Sequence, residues 1–199
     1  LASTANPYLS RTDANNVAVA GWSQGSIAAS EVQDLPDMSA VKAIVALDNL
    51  RGSLRGDLGA PVNFCDGPKQ GLITAVVPAL GFADDYACDP GNPADVTPQS
   101  KQSGWAVWAA AGKPAVELPM AGFQHGTFTT PQLSVGELSL DWLQAWLGGQ
   151  ASTLSAFDAC TIAGVPTTTL LASNFYSAAY LPALGLDTSD LGGQLQATC

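Results

Sequence analysis

The feature that most constrains this chain is Ala20-Gly21-Trp22-Ser23-Gln24-Gly25-Ser26. It is a G-x-S-x-G pattern wedged between an apolar run, Val17–Trp22, and an alanine-rich stretch, Ser26–Leu35. On its own the pattern is common. With a strand before it and a helix after it, it specifies a tight strand-to-helix turn that holds a serine hydroxyl clear of the sheet edge. Gly21 and Gly25 are expected to remove Cβ atoms that would collide with the neighbouring strand and helix. The N–H of Gln24, at the helix start, is placed to donate to a developing oxyanion.

The rest of the chain fits an α/β sheet. Four apolar runs read as buried parallel strands: Val17–Trp22, Ala43–Leu47, Ala75–Phe82 and Ala115–Met120. Helical stretches alternate with them: Ser26–Leu35, Gln99–Ala111 and Glu137–Leu147. The last carries Leu138, Trp142 and Trp146 on one face and stops at Gly148 and Gly149. Alternation of this kind implies right-handed crossovers in a mostly parallel sheet. Asn49–Gly71, with five Gly and two Pro, and Asp84–Pro98, with four Asp and three Pro, read as long loops. Both follow strands, on the edge where α/β folds keep their sites. Residues 1–149 read as one catalytic unit and 150–199 as a C-terminal extension packed on it.

Composition removes other classes. Seven Lys and Arg against seventeen Asp and Glu give a net charge of −10, so no basic patch for nucleic acid can be assembled. No apolar run is long enough to span a membrane. Cys65, Cys88, Cys160 and Cys199 are even in number, widely spaced and without a C-x-x-C, which suits disulfides better than metal. Proximity favours Cys65–Cys88 and Cys160–Cys199. Disulfides need an oxidising compartment, and the abundant Ser, Thr, Asn and Gln also fit an exported protein.

A nucleophilic serine needs a base, and His125, in Gly122-Phe123-Gln124-His125-Gly126, is the one histidine in the chain. The base needs an acid. Asp84 and Asp85 follow the Ala75–Phe82 strand, and Asp48 follows the strand before it. Adjacent carboxylates cannot both face His125. Asp84, Asp85 and Asp48 therefore all stay candidates for the acid at this point. Trp22, Phe123 and Phe128 lie beside the catalytic residues as candidates for an apolar acyl pocket, with core packing as the alternative. Asp84, Asp85, Asp89 and Asp95 together are dense enough to raise a calcium loop, although their spacing matches no EF-hand.

Through the Gly21–Gly25 turn, the Ala83-Asp84-Asp85-Tyr86 segment and the Gly122–Gly126 loop, the stretch from about Val17 to Leu147 resembles the α/β-hydrolase family. It is most similar to secreted bacterial serine esterases and lipases, including relatives that act on polyesters. Sequences of this kind place the acid directly before an aromatic, here Tyr86, so the resemblance implies a Ser23–Asp85–His125 triad with Asp84 turned to solvent, an acyl-enzyme, and neither metal nor organic cofactor. It also implies that the four strands correspond to the last four of a usual eight. The second oxyanion donor would then belong to a missing N-terminal half. The Trp22-Ser23-Gln24-Gly25 turn is similar to that of cutinases too, but the 40 residues from Asp85 to His125 exceed the cutinase spacing (125 − 85 = 40). Two classes of function follow: an ester hydrolase, or a non-catalytic hydrolase-fold remnant that binds a ligand or partner.

Overall fold

The computed structural model describes Pro7 and residues 12–48, 50, 53–55, 69–84, 98–158, 161–162, 164–166 and 175–176. Of 53–55, 69–72, 98–103, 158, 161–162 and 175–176 only the backbone is described. Strand β1 (Val17–Trp22) leads through helix α1 (Gln24–Glu31) and one 3-10 turn (Val32–Asp34) to β2 (Val41–Leu47). Two short strands, β3 (Ser53–Arg55) and β4 (Lys69–Leu72), precede β5 (Ala79–Ala83). Helix α2 (Pro98–Ala110), strand β6 (Ala115–Pro119) and helix α3 (Leu133–Trp146) follow. The main sheet runs β1-β2-β5-β6, all parallel, as expected of an α/β fold.

The four apolar runs are the four strands, with shifted ends. The third is shorter than expected, because Pro78 has no N–H to give to a ladder. The segment before it bonds elsewhere: Gln33 Oε1, in the 3-10 turn after α1, accepts the Val76 N–H at 2.7 Å, and Asp34 accepts the Thr74 N–H at 3.0 Å. Helix α3 begins four residues earlier than the expected Glu137, and its first turn buries Ser134 and Val135 while Leu133 stays exposed. The stretch expected to be one long loop, Asn49–Gly71, holds β3 and most of its antiparallel partner β4. A short backbone ladder needs no side-chain alternation, so it leaves no period to read.

The extension also contributes to the sheet. After a 3-10 helix, Ala151–Asp158, and a small hairpin of β7 (Thr161–Ile162) and β8 (Val165–Pro166), strand β9 (Phe175–Tyr176) pairs antiparallel with β6. All four cysteines lie outside the described residues.

Two apolar clusters sandwich the sheet. On one side Phe82, Leu118, Met120, Leu138 and Trp142 pack with Leu154 and Phe157 of the extension. On the other, Ile44, Ala46, Leu50 and Ile73 meet Trp105 and Trp108 of α2. The Trp108 indole donates to the Val77 carbonyl at 3.0 Å, so its one polar atom is satisfied.

One buried acidic side chain interrupts this core. Glu117, in the middle of β6, is fully buried and its carboxylate accepts the Leu50 N–H at 3.3 Å. Gly81, opposite it on β5, makes the room: a Cβ there would overlap the Glu117 carboxylate and the Leu50 side chain. Gly81→Ala is therefore expected to destabilise the chain by about 1–3 kcal/mol through overpacking. A lowered urea midpoint with unchanged slope would show this, and an unchanged midpoint would contradict it.

Candidate functional site

The site is built from the C-terminal ends of the parallel strands, which are laced together by one hydrogen bond at each step. Ser23 N–H donates to Leu47 O (3.1 Å), Asp48 N–H to Phe82 O (2.7 Å) and Met120 N–H to Ala83 O (2.9 Å). Ser23, Asp48 and Asp84 therefore leave the sheet along one edge, directly after β1, β2 and β5.

Ser23 takes φ +58° and ψ −118°, a conformation that non-glycine residues rarely adopt. Such strain persists only where the surroundings over-determine it, and it clusters at functional positions. Ser23 caps α1, and its carbonyl accepts the N–H of Ser26 (2.9 Å) and of Ile27 (3.3 Å). The Gln24 N–H, the first of the helix, has no acceptor within it and lies beside the serine. The two glycines of the motif are not equivalent, contrary to expectation. A Cβ on Gly21 would run into the backbone of Gly25, so Gly21 is what lets the turn close on itself. A Cβ on Gly25 would meet nothing within 4 Å.

His125 follows a turn set by Gly122 (φ +73°), with Phe123 N–H bonded to Met120 O at 3.2 Å. It opens a 3-10 helix, His125–Thr129, whose start is held by Gln124 N–H donating to Thr127 Oγ1 at 2.9 Å. The ring is fastened twice. Its Nδ1 lies 2.6 Å from Asp48 Oδ2, and the Trp22 ring packs against it at a centroid distance of 5.1 Å. The Trp22 indole N–H also donates to the His125 carbonyl at 3.2 Å. A carboxylate on Nδ1 assigns the proton to that nitrogen and leaves Nε2 as the basic one.

Asp48 is the acid that the structure brings to His125; it was the third of the three sequence candidates. Its φ of +88° turns the chain sharply out of β2 and back to the imidazole. Its side chain is 14% exposed, and burial raises its pKa above the usual carboxylate value, against the opposing pull of His125. Asp84 is also at the site: it is buried, not turned to solvent, because it leaves β5 into the space between neighbouring strand ends. A carboxylate oxygen of Asp84, one of Asp48 and a ring nitrogen of His125 lie within 4.8 Å of one another. Asp85 lies outside the described residues, as do Asp89 and Asp95 of the possible calcium loop.

Asp48, Asp84 and His125 are also the one group among the described residues with the donor types and spacing to hold a metal ion. The 2.6 Å contact inside it is a charge-assisted hydrogen bond. Two ligands of one cation, each about 2.1 Å from it, stand farther apart than that.

Phe123 and Phe128 pack edge to face (5.4 Å) against the core cluster. Trp22 remains more open, at 38% exposed, and walls the imidazole. The sequence reading missed Trp22 as a clamp on the histidine loop. It also missed the buried polar stripe formed by Ser26 and Ser30 of α1 and Gln33 of the 3-10 turn that follows it. Their spacing of four and then three residues is the signal that could have found it.

No model of a known protein family matches the chain, and no curated protein is significantly similar to it.

Two outcomes follow from this geometry. Gly21→Ala should abolish folding or cost more than about 3 kcal/mol, since only backbone stands in the way of the new Cβ. Gly25→Ala, inside the helix, should be neutral or stabilise by up to about 1 kcal/mol. Thermal melts of both variants decide it, and equal losses would contradict the asymmetry.

The second outcome concerns Asp48. Its raised pKa means that the folded chain binds a proton there more tightly than the unfolded chain does. Asp48 therefore contributes stability below its unfolded pKa of about 3.8, and that contribution is lost as pH rises through the raised value. Asp48→Asn should gain stability relative to the parent across that window and keep the gain at neutral pH, because Asn also tolerates positive φ. Denaturation midpoints from pH 3 to 7 measure this. A variant that falls behind the parent as pH rises would contradict it.

Proposed function

We propose that this chain is a serine hydrolase of carboxylic esters, in which Ser23 is the nucleophile, His125 the general base and Asp48 the acid that orients it. The observation that carries the reading is the 2.6 Å contact between His125 Nδ1 and Asp48 Oδ2, formed beside a serine held at φ +58°. In this reading Ser23 Oγ attacks the acyl carbon and gives its proton to His125 Nε2. The carbonyl electron pair moves to oxygen, where the Gln24 N–H stabilises it. Collapse expels the alcohol, which takes the proton from His125, and water then releases the acid by the same steps. Asp48 stabilises the transient imidazolium and keeps the imidazole in the working tautomer.

The parallel four-stranded sheet with helices supports an α/β architecture. The choice of hydrolase fold, of esters over amides, of polyesters as a possible substrate and of an exported location rests on the sequence resemblance. The second oxyanion donor is not assigned. A contrary reading, a non-catalytic remnant, is favoured by β1. Among the described residues that strand pairs with β2 alone, and Ala20 and Trp22 stay exposed.

Turnover of a short p-nitrophenyl ester separates the two readings. The parent chain should hydrolyse it, and Ser23→Ala and His125→Ala should each lose about 10⁴- to 10⁶-fold. Asp48→Asn should lose about 10⁴-fold. Asp84→Asn and Asp85→Asn should keep most of the activity. A His125→Ala variant with more than about a tenth of parental turnover would rule the mechanism out, since triad losses are far larger. Collapse in Asp85→Asn with Asp48→Asn intact would return the acid to the loop after β5.

A further inference from the structure

We propose that Ser26 is a positioning residue that locks the nucleophile turn to the acid turn; this rests on the ester-hydrolase reading above. Ser26 is 1% exposed, and its hydroxyl lies 2.6 Å from the Ser23 carbonyl and 3.2 Å from the Asp48 carbonyl. The hydroxyl has one proton, so it serves the two oxygens as a shared donor. Those oxygens belong to Ser23 and Asp48, two of the three non-glycine residues with positive φ among the described residues. Both follow the last residue of their strand, and β1 and β2 are parallel neighbours, with Trp22 opposite Leu47.

Each strained turn has its own support from the sheet, through Ser23 N–H and Asp48 N–H. Those bonds fix where each turn leaves its strand. They do not fix how one turn is rotated relative to the other. The Ser26 hydroxyl is the contact that ties the two carbonyls together, and it thereby sets the offset between the serine and the Asp48–His125 pair. An alanine would leave both oxygens without this donor in a place closed to water. The turns would then relax independently, and a displacement of about 1 Å at a reacting group costs on the order of 100-fold in rate.

Ser30 provides the control. It lies one turn further along α1, is fully buried, and donates to the Ser26 carbonyl at 2.9 Å. Its loss removes a comparable buried hydrogen bond from the same helix face without removing either bond to the site turns.

The test compares Ser26→Ala, Ser26→Cys, Ser26→Thr and Ser30→Ala with the parent chain, each shown to be folded by its melting transition. Ester turnover should fall roughly 10- to 100-fold in kcat for Ser26→Ala, with KM within about twofold. Ser26→Cys keeps a side chain of the same connectivity, slightly larger, but supplies only a weak donor, so it should show the same loss even if the alanine variant does not fold. Ser26→Thr keeps the hydroxyl and should recover most of the rate. Ser30→Ala should melt lower and keep its kcat.

A second readout does not depend on turnover. The chain has one histidine, so 15N spectra of the neutral imidazole report its tautomer without ambiguity. The parent should hold the proton on Nδ1, and Ser26→Ala should lose that preference while Ser30→Ala keeps it. Parental kcat and tautomer in Ser26→Ala, or an equal kcat loss in Ser30→Ala, would overturn the proposal. A parent chain without turnover would instead overturn the hydrolase reading, and the tautomer comparison would still decide the role of Ser26.

Discussion

Everything at this site depends on the parallel pairing of β1 with β2. That register places Trp22 beside Leu47, so the next residue of each strand, Ser23 and Asp48, leaves the sheet at the same level. Both then adopt positive φ, a conformation that costs of order 1–3 kcal/mol for a residue with a Cβ. The cost is sustained by features that have no other evident use: the missing Cβ of Gly21, the Ser26 hydroxyl shared between two carbonyls, and the N–H donors laced across the strand ends. At this edge of the sheet, strain at two neighbouring turns is met by dedicated supports.

The second constraint is burial of charge. Asp48 is largely withdrawn from water, and that withdrawal acts against its ionised form. Only the His125 imidazole offsets the loss, which makes the pair a local liability for stability and, in the proposed reading, an asset for proton transfer. Glu117 is a second buried acidic side chain, and its carboxyl oxygen accepts the Leu50 N–H two residues after Asp48, so a polar contact in the core helps to fix the path of the segment that carries Asp48.

Much of this was legible in the sequence because it has a period or a fixed pattern. The strands announced themselves as apolar runs, and Leu138, Trp142 and Trp146 marked the face of α3. The serine turn was legible because the G-x-S-x-G pattern sits between a strand and a helix. Asp48 was harder to rank, because nothing in the order of residues records that its backbone turns to positive φ and points back at His125. Asp84 was read as solvent-facing from strand alternation, yet alternation ends where the strand ends. Glu117 was invisible because a single carboxylate in an apolar run does not alter the period. Its burial depends on Gly81, thirty-six residues away and opposite only after β5 and β6 pair (117 − 81 = 36). Ser26 was visible as a residue but not as a contact, since its two acceptors come from different strands.

The central claim is that Ser23 is activated by His125. The most direct measurement is covalent capture of the folded chain by a fluorophosphonate, followed by peptide mapping. One equivalent of adduct on Ser23 is expected, with the rate collapsing in His125→Ala and no adduct on the chain's other serines. A folded parent chain that takes up no label, or takes it up at Ser23 equally fast without His125, would contradict the account.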